Sequence, residues 1–281
     1  MLNIAELLTD EVERRLAANF ALLFGASTSA HLGAATRACR RALGRISASN
    51  ALYHNIEHTV LVLIVGSQAL LGRHIERADV SREDWLNVMV ALVCHDIGYV
   101  RGICAADDGE QLVADLRGTR TEVAPGSSDA ALMPLHVDRG KLFVAESVLP
   151  EIPYLDLELV QACIERTRFP VPQEPAYLQT DDLPGLVRGA DLIGQLSDAR
   201  YLAKLSAVFF EFEEIGFNIH TGYRKPGDLL AAYPGFYAKQ VVPYIGDTVR
   251  YLEKTKAGQE TLASLQANLD SASRARDALV G

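Results

Sequence analysis

Residues 81–100 have the sequence SREDWLNVMVALVCHDIGYV and are typical of the way the whole chain is built. Ser81 and Asp84 have the spacing of a capping box, in which each side chain accepts a hydrogen bond from the other residue's backbone N–H at the start of a helix. An uninterrupted apolar run follows, and Gly98 then supplies a helix stop signal. The stretch therefore predicts a buried helix over 82–97.

Outward from this helix, apolar residues recur at three- and four-residue spacing along almost every segment. That period is typical of helices, whereas the alternation typical of half-buried strands is scarce. We therefore predict an all-α fold in a single helical domain over residues 1–281. The expected helices are 3–24, 30–46, 54–74, 82–97, 129–149, 155–168, 182–196, 198–215, 234–256 and 259–279.

One long segment, Val100 to Pro134, interrupts the helical pattern because it is rich in glycine, proline and serine. Irregular segments of this length inside a compact domain are uncommon and often cover functional sites. The segment also begins directly after the pair His95 and Asp96. We therefore expect it to form a loop that overhangs any site built around that pair.

The composition of the 281 residues, 49% hydrophobic and 22% charged, is that of an ordinary folded protein. The formal net charge of −9 argues against an extended nucleic-acid partner, because such a surface needs clustered lysine and arginine. A small anionic substrate remains compatible with this charge, since a bound divalent metal can reverse the local potential.

The four cysteines form no CxxC pair and are interpreted as reduced thiols. The first residues lack the basic and apolar regions of a signal peptide. The longest apolar stretch, from Val60 to Leu71, is interrupted by polar residues and is too short to span a bilayer. We therefore expect a cytoplasmic protein with no membrane partner, and homo-oligomerisation stays open.

Two histidines fall in the segment YHNIEH, residues 53–58. On a helix over 54–74, His54 and His58 would share one face and could direct two imidazoles into one cavity. An isolated pair at this spacing is more often structural than metal-binding. The pair therefore becomes informative only together with other segments.

His95 and Asp96 follow the apolar run VMVALVC, which buries their helix on most of its circumference. A buried carboxylate needs a cation, a metal or several hydrogen-bond donors, and a metal ion would satisfy both side chains. The alternative is a structural role in which Asp96 accepts hydrogen bonds at the helix end or pairs with Arg101.

A third segment, RGADLIGQLSDARYL at 188–202, places Asp191 among apolar neighbours. Gln195 follows one helical turn later on the same face. An isolated aspartate in a helix is usually solvated or capping, but the apolar neighbours predict that this helix is substantially buried.

Taken together, the order H…HD…D in YHNIEH, CHDIGY and GADLIGQ resembles the HD-domain metal-dependent phosphohydrolase superfamily. Tyr53-His54-Asn55 followed by His58 is similar to the signature of class I cyclic-nucleotide phosphodiesterases. The segment PGFYAKQVVPY also resembles those enzymes in Gly235, Phe236 and Pro243. The resemblance implies an HD-like catalytic core at about 50–245 with helical N- and C-terminal extensions.

The same resemblance implies that one or two divalent ions, Zn, Mn, Mg or Fe, act as cofactors. Their ligands would be His58, His95, Asp96 and Asp191, with Asp96 bridging to a second ion and contributing to catalysis. His54 would be the general acid that protonates the leaving oxygen.

Substrate contacts are expected from Asn55, His136, Gln195 and Phe236. The sequence departs from the phosphodiesterases at two positions, where Tyr99 replaces a further histidine and Tyr233 replaces the purine-selecting glutamine.

The resulting hypothesis is a hydrolase that cleaves a phosphodiester or phosphomonoester in a small nucleotide-like molecule. One alternative is an HD-fold diiron oxygenase, against which the absent histidine at Tyr99 argues. The other is a metal-binding regulatory module without turnover, which would not require His54.

Overall fold

The computed structural model describes residues 3–25 and 29–280, and the remaining positions of the predicted 1–281 domain lie outside it. The fold is all-α, as predicted, with 71% of residues in helices. The described residues form the following α-helices: α1 Ile4–Phe24, α2 Ala30–Ile46, α3 Ile56–Arg77, α4 Arg82–Cys94, α5 His136–Phe143, α6 Leu157–Arg166, α7 Leu183–Leu196, α8 Tyr201–Glu214, α9 Phe217–Thr221, α10 Pro226–Phe236, α11 Val242–Leu252 and α12 Lys256–Val280.

Shorter elements connect these helices. Two strands, β1 Gln111–Val113 and β2 Arg120–Glu122, pair in antiparallel register. A π-helical turn at Val144–Val148 extends α5, and another at Tyr237–Val241 joins α10 to α11. Single 3₁₀ turns lie at Ile97–Tyr99, Asp129–Leu132, Leu149–Glu151 and Pro175–Leu178.

Helix α4 lies at the centre of the molecule, and every residue from Trp85 to Cys94 is buried. Its capping box forms as predicted, since the Ser81 and Asp84 side chains accept from each other's backbone N–H. Helices α2, α3 and α6 pack around it, and α7 packs on both α3 and α11. One continuous hydrophobic core extends from Val12 in α1 to Ala272 in α12.

Helix α3 corrects the length argument made from the sequence. With 22 residues and a window of mean hydropathy 1.2, it is long and apolar enough to cross a membrane. However, 67% of that window is buried inside the protein. Its apolar surface is therefore largely covered by the neighbouring helices α1, α4, α7 and α11, which is the environment of a core helix in a soluble fold.

The segment 100–134 is more ordered than its composition predicts, and it contributes one residue to the wall of a cavity of about 490 Å³. It contains the hairpin β1–β2 and a small core of Leu112, Val123 and Leu132. The buried guanidinium of Arg139 holds it down through two nitrogens on the Asp107 carboxylate at 2.9 and 3.0 Å. Met133 is the only residue of this segment in the lining of that cavity.

Candidate metal centre

Four side chains from distant segments meet at the end of α4. The Nε2 atoms of His58 and His95 are 3.4 Å apart, and each lies 3.2 Å from Oδ2 of Asp96. Oδ1 of Asp191 is 3.3 Å from His58 Nε2 and 3.6 Å from His95 Nε2. The structure therefore brings together the four residues that the sequence proposed as ligands.

The hydrogen bonds of these side chains leave ligand atoms free at the centre. Nδ1 of His95 donates to the Leu92 carbonyl at 2.8 Å, so the neutral ring carries its lone pair on Nε2. Oδ2 of Asp96 is buried and lies 3.2 Å from both imidazole Nε2 atoms, but it accepts no well-oriented hydrogen bond among the described residues. A buried carboxylate oxygen without a donor is costly unless a cation compensates it.

The spacing of the four side chains fits one cation. In a tetrahedral site with bonds of ~2.1 Å, neighbouring ligand atoms are ~3.4 Å apart. The ligand atoms of His58, His95 and Asp191 all lie within 4.8 Å of one another, and Asp96 approaches this group through its contacts with both imidazoles. Two nitrogens and carboxylate oxygens form a donor set suited to Zn²⁺, Mn²⁺ or Fe²⁺.

Without a metal, protons balance the charges in this cluster. Burial lowers the pKa of His95, but the charges and hydrogen bonds of Asp96 and Asp191 outweigh it and raise that pKa well above the usual value. Burial acts in the opposite sense on both carboxyls, and the imidazoles nevertheless hold their pKa values well below the usual range. A metal ion would therefore have to displace a proton from His95.

Two glycines allow the backbone approaches that assemble the cluster. A Cβ at Gly98 would lie 1.9 Å from the His136 carbonyl oxygen, so only glycine lets α5 pack this closely on the turn after Asp96. A Cβ at Gly194 would lie 2.9 Å from Cα of Val62, where α7 crosses α3. The second contact fixes the helix of Asp191 against the helix of His58.

His54 lies beside the cluster, but its place differs from the one expected. Helix α3 begins at Ile56, so His54 precedes the helix instead of occupying its first turn. Its ring centroid is 5.5 Å from that of His58, and its Nδ1 lies 2.5 Å from Oε2 of Glu211 in α8. The other carboxylate oxygen of Glu211 accepts the backbone N–H groups of Tyr53 and His54.

Glu211 is 1% exposed and determines the charge of His54. Burial alone would lower the pKa of His54, but the Glu211 charge and hydrogen bond raise it to about 9. Burial would likewise raise the pKa of Glu211, which its contacts with His54 instead lower. His54 is therefore held protonated, with Nδ1–H bound to Glu211 and Nε2 as the second proton carrier.

Tyr99 lies between two histidine rings at the site. Its ring stacks on His54 at 4.7 Å between centroids and on His136 at 4.6 Å. Nδ1 of His136 donates to the Met133 carbonyl, and its Nε2 is 3.7 Å from Oδ1 of Asp96. Asp96 thus directs one oxygen to the imidazoles of His58 and His95 and the other towards His136.

A cavity of about 490 Å³ opens from the cluster and has Asp96, Asp191 and His54 in its wall. That volume is typical of small-molecule sites. Most of the other wall residues are aliphatic or aromatic, and those on α7, α8 and α10 include Leu192, Leu205, Val208, Phe212, Leu229 and Phe236.

The expected substrate residues divide into two groups. His136, Gln195 and Phe236 line the cavity, and Gln195 donates to the Tyr201 hydroxyl at 3.0 Å. The expectation for Asn55 was wrong, because its side chain caps α3 by accepting from the Glu57 backbone N–H and does not line the cavity. Asparagine is among the residues preferred at the N-cap of a helix, where its side-chain oxygen accepts a hydrogen bond from a free backbone N–H.

Sequence reasoning missed Glu211, although its helix carried a weak signal. The segment FFEFEE at 209–214 contains three glutamates on an otherwise apolar helix, and their order along the chain does not indicate which one is buried. Only the packing of α8 distinguishes Glu211 from Glu213 and Glu214.

The sequence model of a protein family described as Npun_R2479-like matches residues 2–274, almost the whole chain. No curated protein matches this chain.

Proposed function

We propose that this chain, which belongs to the Npun_R2479-like family, is a metal-dependent phosphohydrolase of the HD type. Its substrate would be a phosphodiester or phosphomonoester of a small, nucleotide-like molecule. The proposal rests on two groups of side chains that lie next to each other. A four-residue ligand cluster lies beside a histidine that a buried carboxylate keeps protonated, and both line one cavity.

His58, His95, Asp96 and Asp191 would hold the ion. A divalent metal bound there would neutralise charge on the phosphoryl group and make water a stronger nucleophile near neutral pH. The remaining oxygen of Asp96 faces His136 at 3.7 Å, an arrangement compatible with a second, bridged ion. Mixed nitrogen and oxygen donors favour Zn, Mn or Fe at the first position, and oxygen-rich donors favour Mg or Mn at the second.

His54 would serve as the general acid. When the P–O bond to the leaving group breaks, the leaving oxygen takes up a proton, and His54 Nε2–H would supply it. Glu211 fixes the ring through Nδ1 and compensates the positive charge before transfer. A protein that only binds metal does not need this acid, so the His54–Glu211 pair favours turnover over a purely regulatory module.

The cellular location would be the cytoplasm, without a membrane partner. Helix α3, which is apolar enough to span a bilayer, is largely buried in the fold, and all four cysteines are buried as free thiols.

The decisive experiment combines metal analysis with a substrate panel. Purified protein would be analysed for bound metals and assayed with cyclic nucleotides, nucleoside monophosphates and aryl phosphodiesters in the presence of Mn²⁺, Mg²⁺ or Zn²⁺. We expect phosphate-ester hydrolysis that is lost, together with the metal, in Asp191→Asn. The exposed Asp270→Asn in α12 makes the same charge change away from the cavity and should retain both.

Two results would contradict the proposal. Bound iron with oxygen-dependent turnover would point to an oxygenase. Stoichiometric metal without hydrolysis of any panel member would point to a non-catalytic module.

A further inference from the structure

Arg188 is a buried cation without a counter-charge. Its residue exposure is 2%, and it makes no ion pair within 4 Å among the described residues. Its terminal nitrogens donate to the carbonyls of Tyr177 at 2.6 Å and Gln179 at 3.1 Å, and its guanidinium lies 4.3 Å from the centroid of the Tyr244 ring. Its Nε is buried without a hydrogen-bond partner in the part of the chain that the structure describes.

This arrangement is costly, because a buried charge normally needs an opposite charge. Burial and the charge of Arg166 lower the pKa of Arg188 to about 10. The charge of Asp182 acts on Arg188, but the Asp182 carboxylate is bound by Arg166 at 2.9 Å. The protein itself therefore supplies carbonyl oxygens and an aromatic face to Arg188 but no anion.

The position of Arg188 in the cavity wall indicates that a bound ligand could supply the missing anion. It lines the same cavity as Asp191 and lies one turn before that residue on α7. Lys239 also lines the cavity, is exposed, and has no ion pair within 4 Å among residues 3–25 and 29–280. The only carboxylates in the wall are Asp96 and Asp191, which belong to the ligand cluster.

We infer that Arg188, assisted by Lys239, forms an anion subsite for a second acidic group of the substrate, a phosphate or a carboxylate. The inference rests on the proposed function, which places the scissile phosphate at the ligand cluster. Arg188 and Asp191 are three residues apart, which separates their backbone positions by about 4.5 Å along α7. The substrate class is therefore a phosphate ester with a second oxyanion and an apolar or aromatic body between the two.

The test measures anion binding and does not depend on turnover. Inorganic phosphate and acetate would each be titrated calorimetrically at constant ionic strength into the protein as purified and after dialysis against EDTA. In the second state no metal can bind phosphate, so any remaining binding reports on the side chains of the protein itself. The anion whose binding depends on Arg188 identifies the group that the subsite recognises.

Arg188→Gln should weaken this binding by roughly tenfold or more, the usual effect of losing a charge-assisted hydrogen bond. Lys239→Gln should weaken it about two- to fivefold, because an exposed charge contributes less. Arg200 is exposed and forms no ion pair within 4 Å in the described part of the chain, and Lys256 is largely exposed; neither residue lines the cavity. Arg200→Gln and Lys256→Gln are therefore matched controls and should bind as the unaltered protein does.

A purely structural role for Arg188 gives a different result. Arg188→Gln would then lower the melting temperature, and neither it nor the folded variant Lys239→Gln would change the binding of either anion, which would overturn the inference. An Arg188-dependent anion site in a protein without phosphatase activity would support the subsite and contradict the proposed function. Hydrolysis without such a site would support the proposed function and contradict the subsite.

Discussion

Two histidines four residues apart occupy different positions at this site because the backbone changes conformation between them. His58 lies inside helix α3 with Nε2 facing both aspartates, whereas His54 lies before the helix and binds Glu211. No carboxylate other than Glu211 lies within 4 Å of the His54 ring nitrogens among the described residues. This separation agrees with the proposed roles of His58 as a metal ligand and His54 as a general acid.

The separation predicts the behaviour of His54→Ala. General acid catalysis contributes about 10²–10⁴-fold, so kcat should fall by that order while metal content stays unchanged. An aryl phosphodiester has a good leaving group that needs little protonation, and its hydrolysis should suffer less than that of an alkyl ester. Parallel kcat measurements on both substrates, with metal analysis, check this expectation. Equal losses on both esters would assign His54 another role.

The variant Glu211→Gln tests whether Glu211 keeps His54 protonated. As the proposed general acid, His54 would act in its protonated form, so activity should be lost as pH rises through its pKa. The Glu211 charge raises that pKa, and its removal should therefore move the alkaline limb of the kcat profile to lower pH. The hydrogen bond to His54 Nδ1 can persist in this variant, because the amide oxygen of glutamine can still accept it. Glu214→Gln, on the same helix, serves as the control. An unchanged alkaline limb would exclude His54 as the titrating acid.

At the scale of elements, helix periods predicted most of the fold and packing determined the remainder. Helices α2 and α7 match their expected ranges to within one residue, because each has a clear N-cap and a continuous apolar face. The expected helix 129–149 begins only at His136, after a 3₁₀ turn. Helix α9 and the start of α10 were not predicted, since a five-residue helix has too few turns to show a period.

Gly98 tests how the elements hold the cluster together. In Gly98→Ala the new methyl group would meet the His136 carbonyl, and α5 or the turn carrying Asp96 must move. Overpacking typically costs about 1–3 kcal/mol, so the melting temperature and metal affinity should both fall. Gly44→Ala in α2 is the control, because nothing lies within 4 Å of its added Cβ. A metal affinity equal to that of the unaltered protein would contradict this account of the assembly.

At the scale of the whole molecule, the sequence identified side chains whose meeting depends on tertiary packing. His58, His95, Asp96 and Asp191 could be proposed together because their three motifs resemble those of a known superfamily, while local patterns alone predicted only buried neighbourhoods for His95, Asp96 and Asp191. Glu211 and Arg188 could not, since each acts through partners that only the packing of α7 and α8 supplies. A charged residue within an apolar helix is visible in sequence, but its buried partner is not.

The proposed ligands come from three parts of the fold, α3, the turn after α4 and α7, so metal binding should stabilise the whole domain. An ion that binds only the folded state, at a free concentration of 100 times its Kd, adds about 2.7 kcal/mol to the free energy of unfolding. In a protein of this size each kcal/mol shifts the melting temperature by roughly 2 °C, so EDTA should lower it by about 5 °C. Restoring Zn²⁺ or Mn²⁺ should reverse the shift in calorimetry. Asp191→Asn should melt at one temperature with or without metal, and a metal-dependent shift in that variant would show that the stabilising ion binds elsewhere.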